Sequence, residues 1–382
     1  MAKKKNTTPV NEMPTEITNK KIEDIIDRIK KNIEKFNDKT FNVYFYVIDT
    51  KGVPSGSLLY IYKIAYELQE LGYSVTMLHD ENDFVGVGQW ADKKYANLKH
   101  STVKDKSNTV SPSDFLIIPE IYTDVMFQTK DLPCKRVMLL QNFDYITKII
   151  PPGVHPYEYG VTDAIVNTET VRGILKSNLP RINTHLIRPG ISPTLFRPND
   201  KPKKMIVNFA VKDGDDASRI VKPFFWKYPQ LKWVTFAQLK NLPQEIFADA
   251  LRDAAITVVV DDTMSFGYSA LEALKTGNIV ICKVPENTPD WMLDEKNELS
   301  NSIVWVDNLN EVPDLLANLV AMWIRDDVPA ELYDEINKTA EMHTMEDMKK
   351  DVKDVFEKLF ADRVKELEEA LERVEKNKDK KE

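Results

Sequence analysis

The chain is poor in the residues that build cross-links and metal cages. Among 382 residues there are two cysteines, Cys134 and Cys282, far apart and outside any CxxC pairing, and five histidines that do not cluster. Neither a disulfide framework nor a zinc site is indicated. No apolar run approaches the roughly 20 residues of a membrane-spanning helix. The basic start MAKKKNTTPVNEMPTE has no apolar segment behind it, so it does not read as a secretory signal, and a cytoplasmic protein is expected. Glycine is also scarce, 12 in all, so each one is expected to mark a backbone requirement. The net charge of -8 argues against a chain built to coat nucleic acid, although a local basic groove stays open.

What is present is globular: 42% hydrophobic and 29% charged residues, in a length that predicts two domains with tails. Residues 1–16 are polar and unpatterned, an expected disordered arm. Ile22, Ile25, Ile26, Ile29 and Ile33 then recur at helical spacing and predict an amphipathic helix over 17–39. From 40 to 199 short buried-strand candidates (TFNVYFYVID, YSVTMLH, DFLIIPE, KRVMLLQ, DAIVNT, THLIRPG) alternate with helical or loop segments, the pattern of a parallel sheet. The proline-flanked ISPTLFRPNDKPKK marks a boundary near 200. Over 200–330 the pattern restarts with KMIVNFA, LKWVTF, AITVVVDD, NIVICK and SIVWV, a second, smaller doubly wound domain. Residues 331–382 are helical. There Phe360, Val364, Leu367, Leu371 and Val374 form a short heptad seam, which packs on this protein itself or joins a homo-oligomer.

Two tandem parallel-sheet domains place a cleft between the carboxyl ends of their strands. The segment DDTMSFGYSALEALKTGNIVICK, residues 261–283, begins at such a strand end. Its helix start offers free N–H groups to an anion, Gly267 permits close backbone approach, and Ser265 and Ser269 supply hydroxyls or caps. Glu272 stands among Ala270, Leu271, Ala273 and Leu274, where a sheet-facing carboxylate needs a partner such as a pair of ribose hydroxyls; the alternative is a solvated helix-surface glutamate.

SFGYSALEALKTGNIVI resembles the signature region of retaining glycosyltransferases of the family 4 type, which implies the GT-B fold of two Rossmann-like domains facing a cleft. The resemblance implies that Glu272 holds the donor ribose and that Ser265, Phe266, Gly267, Tyr268 and Ser269 approach the donor diphosphate. The first glutamate of that pattern falls eight residues earlier, where Met264 stands. A thioether neither carries charge nor accepts a strong hydrogen bond. GVPSGSLLYIYKIAYELQELGYSVTMLH resembles the N-terminal glycine loop of these enzymes, with Gly56 toward the donor phosphates and Ser55 toward the acceptor. HLIRPGISPTLFRP resembles their interdomain linker. Lys212 and Arg219 are the candidates to stabilise the leaving diphosphate, since these enzymes generally lack a catalytic metal. Gln141, Asn142 and Asp144, at the end of KRVMLLQ, are candidates for sugar or acceptor contacts, with Asp144 as a base.

The expected activity is transfer of a sugar from a nucleotide-diphosphate donor to an acceptor hydroxyl on a glycan, protein, lipid or modified viral DNA base. No cofactor or metal is expected, the nucleotide-sugar being a co-substrate. A protein that binds sugar-nucleotide or glycan without turnover, or a scaffold of the same fold, is the alternative that Met264 motivates.

Overall fold

The computed structural model describes residues 15–211 and 214–379. The arm expected over 1–16 therefore lies outside the described residues up to position 14, and so does Lys212. Helix α1 (Thr15–Asn37) leads into a first domain of β1 (Asn42–Tyr46), α2 (Gly56–Glu70), β2 (Ser74–His79), β3 (Lys99–Thr102), β4 (Phe115–Pro119), α3 (Thr123–Gln128), β5 (Lys135–Leu140), α4 (Phe143–Ile149), β6 (Asp163–Val166), α5 (Glu169–Asn178) and β7 (Asn183–Leu186). The second contains β8 (Lys204–Val211), α6 (Gly214–Lys227), β9 (Thr235–Gln238), α7 (Gln244–Asp253), β10 (Ala254–Val260), α8 (Tyr268–Lys275), β11 (Ile279–Lys283), β12 (Ile303–Val306), α9 (Val312–Arg325) and α10 (Ala330–Ala340). A long helix, α11 (Met345–Asp379), closes the described chain.

Both sheets are parallel throughout, in the orders β3-β2-β1-β4-β5-β6-β7 and β12-β11-β10-β8-β9. The apolar runs of the sequence follow from that arrangement, because a central parallel strand is covered on both faces. All seven residues of β10 are buried, as are all five of β4. Strand order reverses beside β1 in the first sheet and beside β8 in the second. These switch points are where an open α/β sheet leaves a crevice at its carboxyl edge.

Helix α11 does not stay with the second domain. It returns to the first, where Val352, Phe356 and Leu359 join Phe45, Phe115 and the buried face of α2 in one core cluster. Phe360 stacks edge-on to Phe41 at 4.7 Å between ring centroids, and Phe41 lies 4.6 Å from Phe36 of α1. Phe360 and Leu367 of the heptad seam are buried, with α1 alongside α11 and Lys378 bonded to Glu23 at 3.0 Å. The seam is thus taken up within the chain.

The chain crosses between domains twice, and the two crossings touch. Ile191 N donates to His343 O at 3.0 Å, and Arg188 grips Asp351 through Nε and Nη2 at 2.8 and 2.7 Å. A Cβ on Gly190 would lie 2.9 Å from Thr344 O and 3.0 Å from Met345 Cα, both backbone atoms that cannot swing aside. Gly190→Ala is therefore expected to cost about 1–3 kcal/mol through forced backbone shifts, read as a lower urea midpoint at unchanged slope.

At the opposite edge of the first sheet, buried Asp163 accepts from Lys135 Nζ (2.9 Å), His185 Nε2 (2.9 Å) and Thr162 Oγ1 (2.7 Å). Burial alone would raise this carboxyl, but the hydrogen bonds from His185 and Lys135 and the Lys135 charge hold it well below the usual range. A carboxylate depressed in the folded state adds stability that is fully present above the unfolded pKa of about 3.9 and is lost as pH falls below it. Asp163→Asn should cost about 1.5–3 kcal/mol at pH 7. Urea titrations at falling pH should show that gap narrowing in acid.

Candidate functional site

The carboxyl edges of the two sheets meet around a cavity of about 310 Å³. From the first domain come Gly56 and Ser57 at the start of α2, Gln141 and Asn142 after β5, and Asn167 after β6. From the second come Ala210 and Val211 at the end of β8, Asp261 after β10, and the loop 263–269 that opens α8. Gly267 caps α8 at φ +81°, and a Cβ there would meet Met264 Sδ and Met292 Cε at 2.7 Å, so both the conformation and the space require glycine. The first amides of α8 have no partner within the helix and belong to residues lining the cavity.

A second cavity of about 190 Å³ adjoins the first through Gly56, Leu239, Tyr268 and Ser269. Glu272 lines it, together with Asn241, Phe247 and Trp90, the last from the first domain. The Glu272 side chain is buried and accepts no hydrogen bond among the described residues. Burial pushes its pKa up, against the pull of Lys63. Lys63, buried on α2, is lowered by the same desolvation and donates to Gly190 O at 2.7 Å. The two charges therefore face each other across the domain boundary without a direct ion pair, and the carboxylate remains available for hydroxyl donors.

Polar contacts hold the cleft together. Asn142 Nδ2 donates to Thr263 O at 3.0 Å, Asn167 Nδ2 to Ser265 Oγ at 2.9 Å, and Ser265 Oγ to Gln141 O. Below them Glu169 N meets Asp290 Oδ1 at 2.9 Å and Thr170 Oγ1 meets Thr288 O at 2.9 Å. Ser265 thereby links the domains, and Asn142 both caps α4 and reaches across.

Of the residues singled out from sequence, Gly56, Gln141, Asn142, Ser265, Phe266, Gly267, Tyr268 and Ser269 line the larger cavity, and Ser55 and Glu272 the smaller. Ser55 caps α2, accepting from Leu58 N at 3.3 Å. Asp144 and Arg219 line neither cavity: Asp144 lies in the first turn of α4, and Arg219 is 61% exposed on α6 beside Asp216 at 3.6 Å. Met264 is 3% exposed, packed with Phe266, Trp291 and Met292. Three residues were not singled out. Lys63 and Glu120 are ionisable groups in apolar runs (LLYIYKIAYEL, FLIIPE), and Asn167 ends the strand DAIV; each departure from an apolar pattern was the available signal.

Two parallel-sheet domains facing a cleft, with a helix returning from the second to the first, constitute a GT-B-like fold. Solved structures that share it include sucrose-phosphate synthase from Thermosynechococcus elongatus, at 12% identity over 84% of this chain and 99% of that one, with a TM-score of 0.58. Anabaena HepE, solved with UDP and glucose, is 10% identical over 83% of this chain and 100% of that one, with a TM-score of 0.57. An α-glucosyltransferase in complex with UDP and a 13-mer DNA containing an HMU base matches at 11% identity over 85% and 99%, with a TM-score of 0.52. At these identities the likeness is one of fold. No family model and no curated protein matches the sequence.

Proposed function

We propose that the protein is a glycosyltransferase that takes a sugar from a nucleotide-diphosphate donor. The observation that carries this reading is the buried Glu272 carboxylate, without a hydrogen-bond donor among the described residues, in a pocket beside the start of α8. Vicinal hydroxyls of a ribose answer that need, since each donates to a carboxylate oxygen. With the ribose on Glu272, the diphosphate falls to the amides of 267–269 and the close approach allowed by Gly56, and the sugar occupies the larger cavity near Gln141 and Asn142.

Charge develops on the leaving diphosphate as its bond to the sugar breaks, and preorganised amides at a helix start stabilise it at no reorganisation cost. No lysine or arginine lines the larger cavity among the described residues. Lys212, which directly follows the cavity residue Val211 in sequence, is proposed to add the positive charge. We assign the retaining outcome, by entry of the acceptor on the face the diphosphate leaves, and action without a catalytic metal. The closed cleft excludes water from that step.

A second reading, sugar-nucleotide binding without turnover, is favoured by Met264, which gives the cavity a thioether where a carboxylate is expected. Calorimetric titration with UDP and with UDP-glucose, followed by an assay of UDP release, separates the two. Binding with release supports the transferase. Binding without release over a panel of acceptors supports the binder. Failure of every nucleotide and nucleotide-sugar tested to bind removes both.

A further inference from the structure

A third cavity of about 220 Å³ opens on the first-domain side of the cleft, continuous with the larger one through Ser57, Gln141 and Tyr145. Its walls are largely apolar: Ile48, Leu58, Ile61, Tyr122 and Tyr145. Glu120, at the carboxyl end of β4, is the single charged side chain in its lining. The residue is 3% exposed, and its Oε1 accepts two backbone amides from the turn after β5, Gln141 N at 3.1 Å and Asn142 N at 2.9 Å. Both amides converge on one oxygen, so the second keeps its lone pairs for a group entering the cavity.

We propose, resting on the transferase reading, that this cavity is the acceptor subsite and that Glu120 receives the proton of the acceptor hydroxyl. Three features lead to that assignment. The cavity holds roughly one sugar ring or one aromatic ring, the scale of a single recognised unit. Its apolar walls suit the flat face of such a ring. With one carboxylate and no cation in its lining, the subsite selects an uncharged hydroxyl donor over a phosphate or carboxylate, which would meet Glu120 with like charge and no counterion. In the step itself the acceptor oxygen bonds to the anomeric carbon while the bond from that carbon to the diphosphate oxygen breaks. The nucleoside diphosphate leaves with that electron pair and the acceptor proton passes to Glu120.

The electrostatics agree with the geometry. Burial raises the Glu120 pKa to about 7, partly offset by the amides of Asn142, Glu120 itself and Gln141. No charged side chain contributes to that shift, and Tyr122 and Tyr145 are the other ionisable groups lining the cavity. A base titrating near neutrality has the balance between ionised fraction and proton affinity that proton transfer demands. Asp144, the carboxylate first considered as a base, lines none of these three cavities.

The test uses the full chain and Glu120→Gln, whose amide oxygen still accepts from Gln141 and Asn142. UDP affinity by calorimetry is expected to be unchanged. Turnover of UDP-glucose with p-nitrophenyl β-glucoside as acceptor should fall about 10²- to 10⁴-fold, and the limb of the wild-type pH–rate profile near pH 7 should vanish. Retention of that limb in the variant overturns the proposal, as does an equal loss of UDP affinity, which marks a merely structural role. Where wild type binds UDP without turnover, ligand-observed NMR with UDP present replaces the rate. Loss of p-nitrophenyl β-glucoside binding in the variant then supports the subsite, and no binding to wild type overturns it. If UDP itself fails to bind, the transferase reading falls first and is distinguishable as such.

Discussion

Glutamine in place of Glu272 is expected to weaken UDP binding about 10- to 100-fold, because two hydroxyls lose a charged acceptor and a hydrogen bond to a charged group contributes about 1.5–3 kcal/mol. The change is isosteric, so folding is retained and calorimetric titration reads the nucleotide contact directly. Lys63 keeps its own hydrogen bond to Gly190 O in the variant. Unchanged UDP affinity would remove ribose from this pocket. A matched titration with inorganic diphosphate sharpens the result, since that ligand has no ribose and its affinity should not depend on residue 272.

Met264→Glu, which writes the missing carboxylate back into the sequence, is expected to destabilise the protein rather than activate it. Met264 is buried against Phe266, Trp291 and Met292. A carboxyl introduced there without a cation is pushed to a higher pKa by desolvation. A carboxyl whose folded pKa lies above its unfolded value, about 4.3 for glutamate, takes stability away as pH rises through that window. A shift of about three units corresponds to about 4 kcal/mol. Thermal unfolding should therefore place the variant near wild type at pH 4 and far below it at pH 8. A variant as stable as wild type at pH 8 would mean that the side chain has turned into the larger cavity and found a donor there.

The doubly wound architecture was legible because parallel strands leave a direct mark: AAITVVV and FLIIP are apolar on both faces, and glycine or polar residues punctuate them. Strand β3 left no such mark. KHST sits at a sheet edge with its first two residues exposed, so no hydrophobic pattern distinguishes it from a loop. The placement of loop 263–269 and Glu272 beside the cleft was readable from one contiguous segment, since a strand end, a glycine and a helix occur in order. Lys63 and Glu120 were not, because their significance depends on residues remote in sequence, Glu272 across the domain boundary and the amides after β5. Arg219 shows the converse limit. Proximity to a strand end says nothing about which side of a helix a residue occupies, and this one lies on the exposed side of α6.

The return of α11 to the first domain has a consequence for the order in which the protein can be made. Synthesis proceeds from the N-terminus, and domains generally fold as units as they emerge. The second sheet is complete once β12 has emerged at Val306. The first is not. Its Phe45 and Phe115 face waits for Phe356 and Phe360, carried on the last described helix of 35 residues. The domain begun first is the one finished last, so the nascent chain must hold an open apolar face until its final segment arrives.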